Sequence, residues 1–138
     1  MEPVLSRCGY RCDLCLAYKP NVEKTPSNQQ MLSDGWLTYF GFRIEPDRIL
    51  CDGCMAEGGR LIDQGCPVRP CACDRNLPNC ALCSNYICEK LKERVVELDS
   101  IERRFGTEIP IEDYYRFIQP YENKRRLEVY KQTRVVIK

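Results

Sequence analysis

The chain has 138 residues, with 21 Lys and Arg against 20 Asp and Glu, eleven cysteines and no histidine. That length fits one domain, or a cysteine-rich half joined to a small helical half. The lack of histidine removes every mixed cysteine–histidine zinc site and the usual general base of hydrolases, and no stretch approaches the apolar length of a membrane span.

All eleven cysteines fall within the first 88 residues, a break in composition that divides the chain. Residues 1–91 are expected to form a cysteine-rich metal-binding module with one covering helix, and residues 92–138 a helical C-terminal extension packed on it. The fold class expected is a small, metal-stapled, loop-rich domain with a mainly α-helical remainder and little strand. Met1 to Arg7 carries no long apolar run, so no signal peptide is expected and the cytoplasm is the expected compartment. In a reducing cytosol cysteines serve as metal ligands rather than disulfides, and their odd number argues the same way.

In chain order, Cys8, Cys12 and Cys15 open with C-x3-C-x2-C. Three thiols in eight residues are a metal signal, and Gly9 supplies the backbone freedom a ligating turn needs. The same spacing occurs in radical iron–sulfur enzymes, but no βαβ pattern follows. Lys19 to Pro26 reads as a loop, and a helix is predicted from Thr25 or Ser27 to Phe40. Leu32, Trp36, Tyr39 and Phe40 share its inner face, and Gly41 closes it. This aromatic stripe is expected to be core. Cys51-Asp-Gly-Cys54 is a second knuckle, with the glycine a tight turn favours. Gly58-Gly59 is a flexible turn and no phosphate loop, since no strand precedes it and no Lys-Ser/Thr follows.

Cys66-Pro-Val-Arg-Pro-Cys71-Ala-Cys73 is expected to wrap as a loop because its prolines oppose a regular helix. Cys80 and Cys83 form the third C-x2-C pair, and Cys88 enters a helix predicted from Ser84 to Asp99. Ile87, Leu91, Val95 and Leu98 form its apolar stripe. Gly106 marks a stop and Pro110 a new start. A last helix is predicted over 121–134, with Val135-Val-Ile137 as an edge strand or docking tail.

The run C-G-x-x-C-x-x-C, C-x-G-C, C-x4-C-A and C-x2-C-x2-Y-x-C-x2-L resembles a prokaryotic family of small cysteine-rich proteins, domain of unknown function 3795. The residues that carry the resemblance are Cys8, Gly9, Cys12, Cys15, Cys51, Gly53, Cys54, Cys66, Arg69, Cys71, Ala72, Cys80, Cys83, Tyr86, Cys88 and Leu91. They span residues 8–91. Ile87 stands where that family usually has proline, and Cys73 where an aliphatic residue is expected. The resemblance implies a zinc-binding module and no particular reaction.

Without Cys73, ten thiols remain: Cys8, Cys12, Cys15, Cys51, Cys54, Cys66, Cys71, Cys80, Cys83 and Cys88. They are enough for about two zinc ions in all-thiolate sites, with an iron–sulfur cluster as the alternative. A sequential grouping puts Cys51, Cys54, Cys66 and Cys71 on one ion and draws the other four from the rest; a cross-braced grouping is equally compatible with the spacing. Structural zinc in small peptides contributes roughly 10–16 kcal/mol, against about 5–15 kcal/mol for the stability of whole domains. The loop-rich first part is therefore expected to depend on metal.

The function expected is a metal-stabilised interaction module, more non-enzymatic than enzymatic, for a macromolecular partner not named by the sequence. One alternative is an iron–sulfur or thiol redox protein, with Cys73 activated by Arg69 and Arg75. Another is nucleic-acid binding through the basic C-terminal helix. There Lys124, Arg125, Arg126, Lys131, Arg134 and Lys138 supply charge, and Tyr114, Tyr115, Tyr121 and Tyr130 offer stacking faces.

Overall fold

A computed structural model describes all 138 residues. The architecture is mainly α-helical and poor in strand: seven helices, α1 (Lys19–Lys24), α2 (Asn28–Phe40), α3 (Val68–Asp74), α4 (Glu89–Lys92), α5 (Leu98–Phe105), α6 (Ile111–Asp113) and α7 (Asn123–Thr133), joined by turns and, on either side of α3, by longer loops. α6 runs on into a π-helical segment, Tyr114–Ile118, and a 3-10 turn, Gln119–Tyr121. Pairing between extended segments is limited to two isolated bridges, Leu5 with Arg11 and Tyr18 with Cys51.

α2 begins and ends where its sequence says. Gly41 takes a left-handed conformation (φ +80°) and its N–H returns to the carbonyls of Trp36 and Leu37, closing the orphan acceptors of the last turn. Leu32, Trp36 and Tyr39 on its inner face are buried. They join Ala17, Ile49, Ile101, Ile109, Phe117, Ile118 and Tyr121 in the larger apolar cluster, which draws on both sides of residue 91. A second cluster gathers Cys8, Val68, Ala81, Leu91 and Leu127. Leu32, Ile49, Val68, Leu91, Ile118 and Leu127 are all fully buried, and each stabilises the fold by about 1.5–3 kcal/mol relative to exposure.

Four elements differ from expectation. Lys19 to Pro26, expected as a loop, carries α1, with Pro20 in the first turn where a missing N–H costs nothing. The proline-rich stretch after Cys66 is helical: Pro67 is the N-cap of α3 and Pro70 stands in its first turn, where an N–H has no intrahelical partner to lose. The helix expected over 84–99 is broken into α4 and α5. The Arg94 carbonyl accepts from the Tyr10 hydroxyl at 2.6 Å and Asn123 Nδ2 at 3.1 Å, side-chain donors that draw the backbone out of helical register. The break lets the chain cross from one cluster to the other, with Leu91 and Val95 in the smaller and Val96 and Leu98 against the larger. Finally, residues 135–137 form no strand; the Ile137 carbonyl accepts instead from Arg11 Nη1 at 3.1 Å.

Candidate functional site

The N-terminal cysteines sit on two tight loops. Ser6 N–H donates to the Tyr10 carbonyl (2.8 Å), and Tyr10 N–H to the Ser6 hydroxyl (2.9 Å), leaving Cys8 in the loop between them. Gly9 closes that loop at φ +96°, under α7, so near that a Cβ there would lie 2.7 Å from Leu127 Cγ. Cys12–Leu14 is a 3-10 turn, and Asn21 Nδ2 clamps its exit by donating to the carbonyls of Asp13 (2.9 Å) and Cys15 (2.8 Å). Arg11 grips Asp13 in a bidentate ion pair at 2.8 and 2.7 Å, with both side chains buried. Burial pushes the Asp13 carboxyl up, but the Arg11 and Val4 donors outweigh it and hold it below its ordinary value.

The second knuckle is laid beside the first. Cys51 N–H donates to the Ala17 carbonyl (2.9 Å), and Lys19 N–H to that of Cys51 (2.8 Å). Gly53 (φ +92°) then turns beneath the Tyr18 ring. Arg69, from α3, secures the far end by donating to the carbonyls of Cys54 (2.9 Å) and Ala56 (2.8 Å). The third pair sits on another 3-10 turn, Cys80–Leu82, capped by the Asn79 carboxamide accepting from Ala81 N–H (2.9 Å). Asn123, fully buried, ties the region together: it donates to the carbonyls of Cys8 and Arg94 and accepts from Val96 N–H.

These loops enclose two spaces of very different size. Cys8, Cys12, Cys15, Cys51, Cys54 and Cys66 line an open cavity of about 920 Å³, together with an aromatic wall that includes Trp36, Phe40, Phe42 and Tyr121. Cys71, Cys80, Cys83 and Cys88 line a crevice of about 20 Å³. By the space they line, Cys71 falls with Cys80, Cys83 and Cys88, and Cys8, Cys12 and Cys15 with Cys51, Cys54 and Cys66.

The metal expectation is overturned. No three Cys, Asp or Glu side chains come together in a group that could hold an ion, so neither the two all-thiolate zinc sites nor the iron–sulfur alternative is formed. The thiols are spread along walls, and several have local partners of their own. Cys8 lies 3.4 Å from the Ser6 hydroxyl, Cys15 3.0 Å from that of Tyr121, Cys51 accepts from Gly53 N–H, and Cys83 from Arg75 Nη1. Burial pushes the thiols of Cys8, Cys15 and Cys54 up, and those of Cys12 and Cys80 up to about 12. At neutral pH these five are protonated. The apolar clusters, rather than a metal staple, are the packing that the fold displays.

With the geometry in place, the comparison with known families is decisive on membership alone. Residues 4–93 match the family described as "Protein of unknown function (DUF3795)". The chain belongs to it. No curated protein and no solved structure matches the chain. The DUF3795 segment thus contains all ten expected ligand positions, while α5 to α7 lie beyond it.

Cys73 is exposed, but Arg75 Nη1 donates to Cys83 and Arg69 Nε and Nη2 to two carbonyls, and neither arginine donates to Cys73. Two residues of the expected nucleic-acid surface are withdrawn from it. Arg126 is fully buried, donating to the carbonyls of Gln119 and Pro120, and Tyr121 is in the core. Lys131 lies over the Tyr86 ring and Arg134 over that of Tyr130. No helix is long and apolar enough to cross a membrane. Sequence reasoning missed Asn123 and Tyr10 as positioning residues; nothing local distinguishes them, because the partners they position lie 27 to 115 residues away.

Proposed function

We propose that this DUF3795 protein is a non-catalytic binding module whose ligand is a small, partly apolar molecule held in the thiol-lined cavity. The observation that carries this is the cavity itself, about 920 Å³ and lined mostly by hydrophobic residues. Small-molecule sites are concave, mostly apolar and roughly 300–1,000 Å³, with a few polar groups for orientation. The raised thiol pKa values support binding over catalysis, since a protonated thiol is a poor nucleophile. This departs from the macromolecular partner expected from the sequence, since the cavity has the size of a small-molecule site. The basic last helix supports a nucleic-acid role less well, with one cation buried and two lying over tyrosines, one of its own and one of a neighbouring loop.

Trp36 is the sole tryptophan and lines the cavity, which makes it a built-in reporter. Titration with neutral 2-methylnaphthalene should change its emission saturably, with one site per chain. Ile62→Phe, which adds bulk to the lining, should weaken that binding by about tenfold while the far-ultraviolet circular dichroism stays that of the parent. Non-saturating binding, or binding indifferent to the added ring, would overturn the reading.

A further inference from the structure

Resting on that binding reading, we infer that the ligand is an aromatic anion, its ring against the aromatic wall and its negative group at Arg69. Arg69 is half-buried at the cavity wall, where its neighbours are thiols and carbonyls. Nε and Nη2 are taken by the carbonyls of Cys54 and Ala56, and Nη1 has no partner in the chain. None of the five ion pairs of the molecule includes it. A half-buried guanidinium without a carboxylate partner can take an anion, and its fixed planar fork suits carboxylate or phosphate oxygens.

The acids around the cavity do not cancel it. Asp63 is held by Arg94 Nε at 2.6 Å. Glu93 and Glu97 are exposed, where solvent and salt screen them. The opposite requirement, a flat apolar body, is set by Trp36 and Phe42, whose ring centroids lie 5.6 Å apart, and by Tyr121, whose centroid is 6.4 Å from that of Trp36. Rings at these separations accept another ring by offset or edge-on packing.

The test compares three probes of equal ring size on the unmodified protein, read by Trp36 emission: 2-naphthoate, 2-methylnaphthalene and 2-naphthylmethylammonium. The expected order is naphthoate tightest, by about tenfold over the neutral probe, with the ammonium weakest; a charge-assisted hydrogen bond is worth that factor or more. Arg69→Gln should erase the advantage of naphthoate over methylnaphthalene, whatever the lost clamp on the Cys54 and Ala56 carbonyls does to both affinities alike, while Arg69→Lys should keep part of that advantage. Equal affinity for the anion and the neutral probe in the unmodified protein would overturn the anion assignment with the binding reading intact. Failure of all three probes to bind would overturn both. If Arg69→Gln does not fold, the three-probe order in the parent and in Arg69→Lys still decides.

Discussion

The two sides of α2 are packed to opposite limits. At Gly35 the helix meets the π-helical segment so closely that a Cβ would stand 2.2 Å from Phe117 Cε1. One residue on, Trp36 faces a cavity of about 920 Å³. Both positions touch the same apolar cluster, so the difference lies in what approaches. The π-helical segment brings Phe117 straight onto the helix backbone, whereas the cysteine loops, tied down by their own turns and clamps, stop short of it. One side is a core seam with no room to spare, and the other is a space that the fold supports without filling.

The largest expected effect breaks the tight side. Gly35→Ala would ordinarily help a helix by about 0.5–1 kcal/mol. Here it should destabilise by about 3 kcal/mol, because the methyl must displace a buried ring. Urea unfolding followed by circular dichroism measures it, with Gly65→Ala, which meets nothing within 4 Å, as the control. Parental stability for Gly35→Ala would mean that the seam has slack.

A smaller effect tests the same seam through pH. The Tyr39 hydroxyl donates to Asp113 at the start of the segment. Burial first, and then this carboxylate, pushes the phenol up to about 12. The sign follows: below about pH 10 the phenol is protonated in both folded and unfolded chains, and stability does not depend on it. As pH rises from about 10 towards 12, the unfolded chain ionises and the folded one resists, so stability falls. Tyr39→Phe should flatten part of that fall in urea midpoints taken at about pH 9 and about pH 11. An unchanged slope would remove the Tyr39–Asp113 bond from the seam.

The tight side was far more legible in the sequence than the open one. Leu32, Trp36, Tyr39 and Gly41 encode α2 and its stop locally, through helical spacing and a glycine cap. The turns of the C-x2-C pairs were legible for the same reason. Which turn faces which was not. That is decided by long-range bonds, such as Arg11 N–H to the Pro120 carbonyl (2.8 Å) and Asn123 to the Cys8 carbonyl (2.8 Å), which leave no periodic trace. Ten well-spaced thiols suggested convergence on ions, yet spacing fixes only the two ends of each knuckle. What each knuckle faces is set by contacts remote in sequence, such as Gly53 turning against Tyr18 and Cys12. Likewise, proline in the Cys66–Cys73 stretch argued for a loop, although its effect depends on where the first turn falls.

The smallest expected effect is on the open side, and its smallness is the point. Ile62 is half-buried on the cavity wall and packs against the larger cluster. Enlarging a side chain in a filled core destabilises by about 1–3 kcal/mol, as expected at Gly35. Ile62→Phe has about 920 Å³ of unfilled space to enter, so its cost should stay within about 0.5 kcal/mol. The added ring gains contact with the aromatic wall, offsetting the order it loses on packing. The same variant should therefore lose ligand affinity while keeping its stability, a separation that no substitution at Gly35 can show. If Ile62→Phe instead destabilises as much as Gly35→Ala, the cavity is closed in solution and the two sides of α2 are alike.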